Sequence, residues 1–130
     1  MTCRLLVVDD EPDAIELFRQ SFRRELRAGA YDIRFAASGE EALVLLAADA
    51  ADGGILVLCD INMPGMSGFD LLCDVRRRWP WLTVIMVTAY GDADNRRRAL
   101  DHGAADFITK PVDFDHLKET LSQHRTGEGL

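Results

Sequence analysis

The sequence predicts a single α/β domain in which helices cover both faces of a five-stranded parallel sheet. Short runs rich in Val, Ile and Leu alternate with longer stretches of helical periodicity along the chain. The short runs are almost continuously apolar, which is typical of parallel strands that are buried on both faces. Five strand–helix units joined by short connections indicate a doubly wound (βα)5 fold.

The individual elements follow from local signals. Apolar residues recur at steps of three and four positions in the first helix, and Ser38 with Glu41 has the spacing of a capping box at the start of the second. We expect Pro80 and Gly103 to end the third and fourth helices. The predicted strands are Leu5–Val8, Tyr31–Ala36, Ile55–Cys59, Thr83–Val87 and Asp106–Thr109. The predicted helices are Pro12–Arg27, Ser38–Ala51, Phe69–Trp79, Asp92–His102 and Asp113–His124.

Length, charge and cysteine content limit the class of protein. A chain of 130 residues suits one domain, here expected at 1–124, with 125–130 as a flexible tail or the stump of a linker. The net charge of −7 argues against direct binding of nucleic acid by this domain. No apolar stretch approaches the roughly 20 residues of a membrane helix. Because no signal peptide is evident and the cysteines lack metal-ligand spacing, we expect a cytoplasmic protein with reduced thiols.

Chemically active side chains stand where the predicted strands end. Asp9 and Asp10 follow the first strand, Asp60 the third, Thr88 the fourth and Lys110 the fifth. Right-handed crossovers bring the carboxyl ends of parallel strands to one edge of the sheet, which is where ligands of such sheets bind. The sequence therefore predicts one shared site at that edge.

The residue types at this edge suit phosphoryl transfer. Crowded carboxylates repel one another unless a cation lies between them, and hard oxygen ligands suit Mg²⁺. A carboxylate held beside such an ion, here Asp60, is a competent nucleophile toward phosphorus. The transferred group spreads charge over its oxygens, which Mg²⁺, the Lys110 amine and the Thr88 hydroxyl can neutralise. The expected product is an acyl phosphate on Asp60.

Four motifs carry a resemblance to a known family. They are Leu5–Glu11, Asp60–Gly68, Val87–Ala89 and Lys110–Pro111. In this order, and on these elements, the chain resembles the receiver domain of two-component response regulators over essentially its whole length. The resemblance implies a flavodoxin-like fold, similar to that of chemotaxis regulators, and a phosphoprotein of a phosphorelay.

The resemblance also implies the roles of individual residues at the site. Asp60 would be the phospho-acceptor, with a sensor histidine kinase or a phosphotransfer protein as donor. Asp10, Asp60 and the backbone carbonyl of Asn62 would bind Mg²⁺, for which Mn²⁺ can substitute, and Asp9 would act through water. Lys110 would be the lysine of the site, followed by a cis bond to Pro111.

By the same resemblance, Thr88 and Phe107 would be the switch residues. They would pass the signal to the face formed by the fourth helix, the fifth strand and the fifth helix, which would control an effector domain, a partner protein or a second copy of the chain. Phe107 lacks the phenolic hydroxyl that many family members carry at this position. The basic run Arg96–Arg98 lies on the same face, and three successive helical residues are interpreted as a solvated surface.

Two other functions stay open at this point. Phosphatases resembling the haloacid-dehalogenase group also use an aspartyl nucleophile, but they place a second Asp two residues later, where this chain has Asn62. The other alternative is a protein–protein interaction module that works without phosphorylation. Under the main interpretation the chain is a signalling switch rather than an enzyme, and it catalyses only its own phosphorylation and slow dephosphorylation.

Asn62 and Tyr90 flank the path of the attacking water in the resembling family, so both are expected to modulate hydrolysis. We predict that Tyr90→Ala shortens the lifetime of the phosphorylated protein, because the bulky ring shields the acyl phosphate. The lifetime is measured as loss of the phosphorylated mass after the donor is removed. An unchanged lifetime would contradict the prediction.

Overall fold

Five parallel strands form the centre of the structure, a computed structural model that describes residues 2–49, 54–89 and 92–124. The strands are β1 (Cys3–Val8), β2 (Tyr31–Ala36), β3 (Ile55–Asp60), β4 (Thr83–Ala89) and β5 (Asp106–Lys110). Their order in the sheet is β2-β1-β3-β4-β5, and every neighbouring pair is parallel. The strand order reverses beside β1, so the carboxyl ends of β1 and β3 flank the switch point of the sheet.

Helices cover both faces of this sheet, as predicted for the doubly wound fold. The helices are α1 (Pro12–Ser21), α2 (Arg23–Arg27), α3 (Gly39–Asp49), α4 (Gly68–Arg78), α5 (Ala93–Asp101) and α6 (Phe114–Gln123). One apolar cluster joins alternate strand residues to α3, α4 and α5, and a second joins the remaining strand residues to α1 and α6. None of these helices combines the length and the hydrophobicity that a membrane crossing requires.

The predicted first helix is wrong in one respect, because two helices replace it. Phe22 lies between α1 and α2 with φ −103° and ψ 16°, outside helical geometry. Its side chain is fully buried and its ring meets the ring of Tyr31 edge-on, with centroids 5.3 Å apart. The apolar periodicity continues through this position, so the pattern alone gives no sign of the interruption.

Strand β1 begins two residues earlier than predicted, and β3, β4 and β5 extend further at their carboxyl ends. Asp60 is the last residue of β3 and pairs with Val87, and Lys110 is the last residue of β5 and pairs with Ala89. The ladder of parallel pairs therefore runs through the polar residues, whereas the prediction ended each strand where the apolar run ended. The predicted end of the second helix at Ala51 lies outside the described residues.

Local signals at the helix ends are largely confirmed. The Ser38 hydroxyl accepts a hydrogen bond from the Glu41 N–H, and the Glu41 carboxylate accepts one from the Ala37 N–H. Gly103 follows α5 with φ +98°, the left-handed conformation that favours glycine at a helix end. A capping box that the sequence analysis missed starts α4, where Ser67 and Asp70 exchange hydrogen bonds.

Gly68 is required where α4 crosses the end of β3. A Cβ atom at this position would lie 2.4 Å from the carbonyl oxygen of Asp60 and 2.7 Å from the Cα of Ile61. Backbone cannot move aside as a flexible side chain can. The helix therefore approaches the polar end of the strand more closely than any other residue type allows.

We predict that Gly68→Ala lowers the free energy of unfolding by about 1–3 kcal/mol, the usual effect of overpacking. Gly39→Ala is the matched control, because its new Cβ would meet only the Met66 side chain, which can move. Urea denaturation of both variants measures the difference. Equal destabilisation by the two substitutions would contradict the proposed backbone contact.

Candidate functional site

Asp60 is held at the carboxyl end of the sheet with both carboxylate oxygens engaged. Its side chain is only 3% exposed. Oδ2 accepts a hydrogen bond from the Lys110 amine at 2.6 Å, and Oδ1 accepts one from the Asn62 backbone N–H at 3.1 Å. A buried carboxylate is stable only when such partners compensate for lost hydration. The two contacts fix the position of the carboxylate at the edge of the sheet.

Two further carboxylates from the end of β1 face Asp60. Asp9, Asp10 and Asp60 each offer one oxygen atom, and these atoms lie within 4.8 Å of one another. Asp9 is 7% exposed, and its Oδ1 accepts a hydrogen bond from the Glu11 N–H at 2.9 Å. The sequence predicted that these three acids converge, and the structure brings them together.

The charges of the cluster shift the pKa values of two members. Burial raises the pKa of Asp9, the hydrogen bond from Glu11 opposes this shift, and the negative charge of Asp60 adds to it. Burial alone would lower the pKa of Lys110, but its hydrogen bond and charge interaction with Asp60 outweigh burial and raise that pKa. The site therefore has more negative charge than its single lysine can balance.

The donor set of this cluster fits a small divalent cation. All three side chains offer hard carboxylate oxygens, which Mg²⁺ prefers together with water and phosphate oxygens. A cation between Asp9 and Asp60 would offset the repulsion that raises the Asp9 pKa. The Asn62 N–H contact with Asp60 brings the Asn62 backbone to the same place. Magnesium is thus compatible with the residues present.

Thr88 lies at the same edge, one residue beyond the Val87 that pairs with Asp60. Its side chain is 1% exposed, and its hydroxyl has no hydrogen-bond partner among the described residues. A buried hydroxyl without a partner typically destabilises a fold by about 1–3 kcal/mol. The orphaned hydroxyl is therefore available to a hydrogen-bond acceptor that enters the site.

Phe107 is half-buried, and Arg96 covers its ring. The central carbon of the Arg96 guanidinium lies 5.2 Å from the ring centroid. Arg98 similarly lies over Phe69, at 4.1 Å. The interpretation of the basic run as a solvated surface is therefore wrong for Arg96, which is half-buried on a ring, whereas Arg97 and Arg98 are exposed as expected.

The other features singled out by the sequence are the cis bond before Pro111, Tyr90, the tail and Cys59. The Lys110–Pro111 bond is cis, as the resemblance implied. Tyr90 lies outside the described residues, as does the predicted tail at 125–130. Cys59 is buried in the cluster on the face that carries α3, α4 and α5, so it points away from the Asp60 carboxylate.

An apolar cavity of about 590 Å³, which the sequence does not predict, lies beside the acidic cluster. Asp9, Asp60 and Lys110 lie at its polar end, and residues of α1, of the ends of β1, β3 and β4 and of the segment that follows β5 line the rest. Leu17 on this wall is 53% exposed, which is high for a large apolar side chain. That exposure is a property of the folded surface, and helical periodicity in the sequence gives no sign of it.

Comparison with known proteins identifies the family. The model of the response regulator receiver domain matches residues 5–122. The chain belongs to this family. Among solved structures, a response regulator receiver domain protein from Clostridium thermocellum superposes with a TM-score of 0.81 at 27% identity and covers 93% of this chain and 92% of that one. The receiver domain of NtrX from Brucella abortus superposes with a TM-score of 0.80 at 30% identity, over 92% of this chain and 95% of that one.

Two curated relatives come from Pseudomonas aeruginosa. The response regulator protein FleR is 35% identical over 128 residues, which is 98% of this chain and 26% of FleR. The response regulator protein PilR is 41% identical over 119 residues, which is 92% of this chain and 25% of PilR. The receiver domain described here thus spans about a quarter of the length of these relatives.

We predict that Asp9→Asn stabilises the magnesium-free protein at neutral pH. Because folding raises the Asp9 pKa above its ordinary 3.8, the ionised carboxylate destabilises the fold above that raised pKa. The difference in stability between Asp9→Asn and the parent protein should shrink as the pH falls through the raised pKa of Asp9 toward 3.8. Melting temperatures across a pH series measure this effect.

Glu119→Gln is the matched control, because it removes the same charge from the exposed face of α6. A melting temperature that rises equally in both variants would show a general effect of net charge. It would contradict a local effect of burial and of the Asp60 charge on Asp9.

Proposed function

We propose that this receiver domain accepts a phosphoryl group on Asp60 from the phosphohistidine of a sensor histidine kinase or a phosphotransfer protein, in a reaction that requires Mg²⁺. The observation that carries this proposal is the placement of Asp60. A buried carboxylate at a strand end is shared between one ammonium group and an acidic cluster that suits a divalent cation. The same arrangement supports Asp60 as the nucleophile and the surrounding groups as its electrostatic partners.

Each residue of the site has a distinct task in this reaction. One Asp60 oxygen attacks phosphorus, the P–N bond to the donor imidazole breaks, and the imidazole leaves with the electron pair. Asp9, Asp10 and the Asn62 carbonyl would hold Mg²⁺ together with Asp60, and the bound ion would neutralise phosphoryl oxygens. Lys110 transfers its hydrogen bond from the Asp60 carboxylate to the phosphoryl group. Catalysis of this kind rests on positioning and charge rather than on covalent chemistry by other side chains.

The phosphoryl group then biases a two-state equilibrium. Its oxygens are strong acceptors, and the unpartnered Thr88 hydroxyl is a donor for one of them. Movement of Thr88 leaves space on its face of the sheet, into which the Phe107 ring turns. The face formed by α5, β5 and α6 thereby changes its surface and controls an effector domain, a partner protein or a second copy of the chain. The phosphate acts only through its differential contacts with the two states.

The apolar cavity beside the site supports the approach of a protein donor. It opens next to Asp60, and the exposed Leu17 lies on its wall. A phosphohistidine carried on a partner surface could reach Asp60 while that surface covers the apolar wall. We place this exchange in the cytoplasm, where cysteines such as the buried Cys59 stay reduced. The domain acts as a switch that catalyses its own phosphorylation and slow dephosphorylation.

We predict that incubation with a small acyl phosphate and Mg²⁺ adds the mass of one phosphoryl group to the protein. The addition should be absent in Asp60→Asn and after removal of Mg²⁺ by a chelator, because each change removes a reacting or charge-neutralising group. Lys110→Met should slow phosphorylation by about 10²-fold, as expected for loss of one preorganised charge. Intact-protein mass spectrometry over time measures all three effects.

Asp101→Asn is the matched control, because Asp101 is an exposed acid at the end of α5 and should leave the rate unchanged. Phosphorylation that persists in Asp60→Asn would contradict the assignment of the acceptor. If the parent protein gains no mass at all, the alternative of a phosphorylation-independent interaction module is favoured. Repeated turnover of phosphomonoesters would instead favour a phosphatase.

A further inference from the structure

Helix α5 packs on the domain with very little apolar surface. Ala99 is its one buried residue, so few hydrophobic contacts fix its position. Two guanidinium groups compensate for the small number of hydrophobic contacts. Arg96 covers the Phe107 ring on β5, and Arg98 covers the Phe69 ring on α4. The side chains of a basic run thus hold α5 on two sides through contacts with aromatic rings.

The two arginine contacts differ in what they hold. Phe69 is buried in the apolar cluster beneath α4, where its ring is confined by neighbouring side chains. Phe107 is only half-buried and therefore has solvent on one side. The Arg98 contact fastens α5 to a ring confined in the core, whereas the Arg96 contact rests on a ring that stays partly exposed.

The register of the sheet places this ring near the orphaned hydroxyl. Phe107 and Thr109 of β5 pair with Met86 and Thr88 of β4, respectively. Because alternate residues of a strand point to the same face, Phe107 and Thr88 belong to the face that α5 covers. An inward turn of the ring would bring it toward Thr88 and away from the guanidinium of Arg96.

We propose that Arg96 is a positioning residue that holds Phe107 in its outward orientation and so opposes switching until Asp60 is phosphorylated. This inference rests on the proposed function of Asp60, Thr88 and Phe107. A guanidinium within about 6 Å of a ring centroid attracts the face of the ring. The inward state loses this attraction, so the Arg96 contact stabilises the outward state alone.

The strength of the Arg96–Phe107 contact follows from the partial exposure of both side chains. Cation–π contacts at partly exposed sites shift a two-state equilibrium by about twofold to fivefold. A ligand that binds only the inward state must first overcome this bias, which lowers its apparent affinity by the same factor. Arg96 therefore sets the sensitivity of the switch without contacting the phosphoryl group.

The test uses the whole chain with Mg²⁺ and beryllofluoride as the phosphoryl mimic. Arg96→Gln should raise the apparent affinity for beryllofluoride about twofold to fivefold. In the mimic-free variant, the NMR signals of the Phe107 ring should move toward their positions in the mimic-bound parent protein. Arg96→Lys keeps a cation on a flexible stem and should lie between the two.

Two neighbouring variants serve as matched controls. Arg97→Gln removes the same charge from an exposed position and should leave both readouts unchanged. Arg98→Gln removes a guanidinium–aromatic contact that does not involve Phe107, so it should lower the melting temperature without raising the affinity. In a Phe107→Leu background, Arg96→Gln should no longer change the affinity, because the ring is gone.

The outcomes separate this inference from the proposed function. If the parent binds beryllofluoride but Arg96→Gln neither raises the affinity nor moves the Phe107 signals, the inference is overturned and the proposed function stands. An equal gain in Arg98→Gln, or a gain that persists without the Phe107 ring, overturns it as well. If the parent binds no beryllofluoride, the proposed function fails and the inference fails with it.

Discussion

The ion pair between Lys110 and Asp60 is the interaction on which the rest of the site depends. It joins the ends of β5 and β3 across the intervening β4, with Nζ 2.6 Å from Oδ2. Asp60 is almost fully buried, so an unpaired charge there would be strongly destabilising, whereas Lys110 keeps 39% of its side chain exposed. The buried partner is thereby fixed, and the exposed partner is free to exchange one anionic oxygen for another. This asymmetry suits a site where a new anion arrives.

Strand β4 connects the two faces of the sheet because its side chains alternate. Val87 lies in the cluster with α1 and α6, on the same face as Leu56 and Leu58 of β3. Met86 lies in the cluster with α3, α4 and α5, and Thr88 shares its face. Only one residue step along β4 therefore separates the residue that pairs with Asp60 from the face that α5 covers. No long chain of intermediate contacts is needed between the proposed phosphorylation site and the proposed output face.

Helix α5, on the proposed output face, is held by few apolar contacts. α5 buries one alanine and relies on guanidinium groups that lie over aromatic rings, and such contacts are weaker than burial of large apolar side chains. A helix held in this way can shift without disrupting the core. The receiver domain described here spans about a quarter of FleR and PilR, at 26% and 25% of their lengths.

The sequence by itself determined the fold and the set of acids, because strand patterning and the placement of polar residues at strand ends are local properties. Apolar runs predicted all five strands, and their parallel arrangement predicted that Asp9, Asp10 and Asp60 would meet. Only the tertiary structure decided that the first helix is interrupted at Phe22, because the local apolar pattern continues through that position. It likewise decided that Arg96 covers Phe107, because the partner of a flexible, charged side chain depends on which ring the fold brings near it.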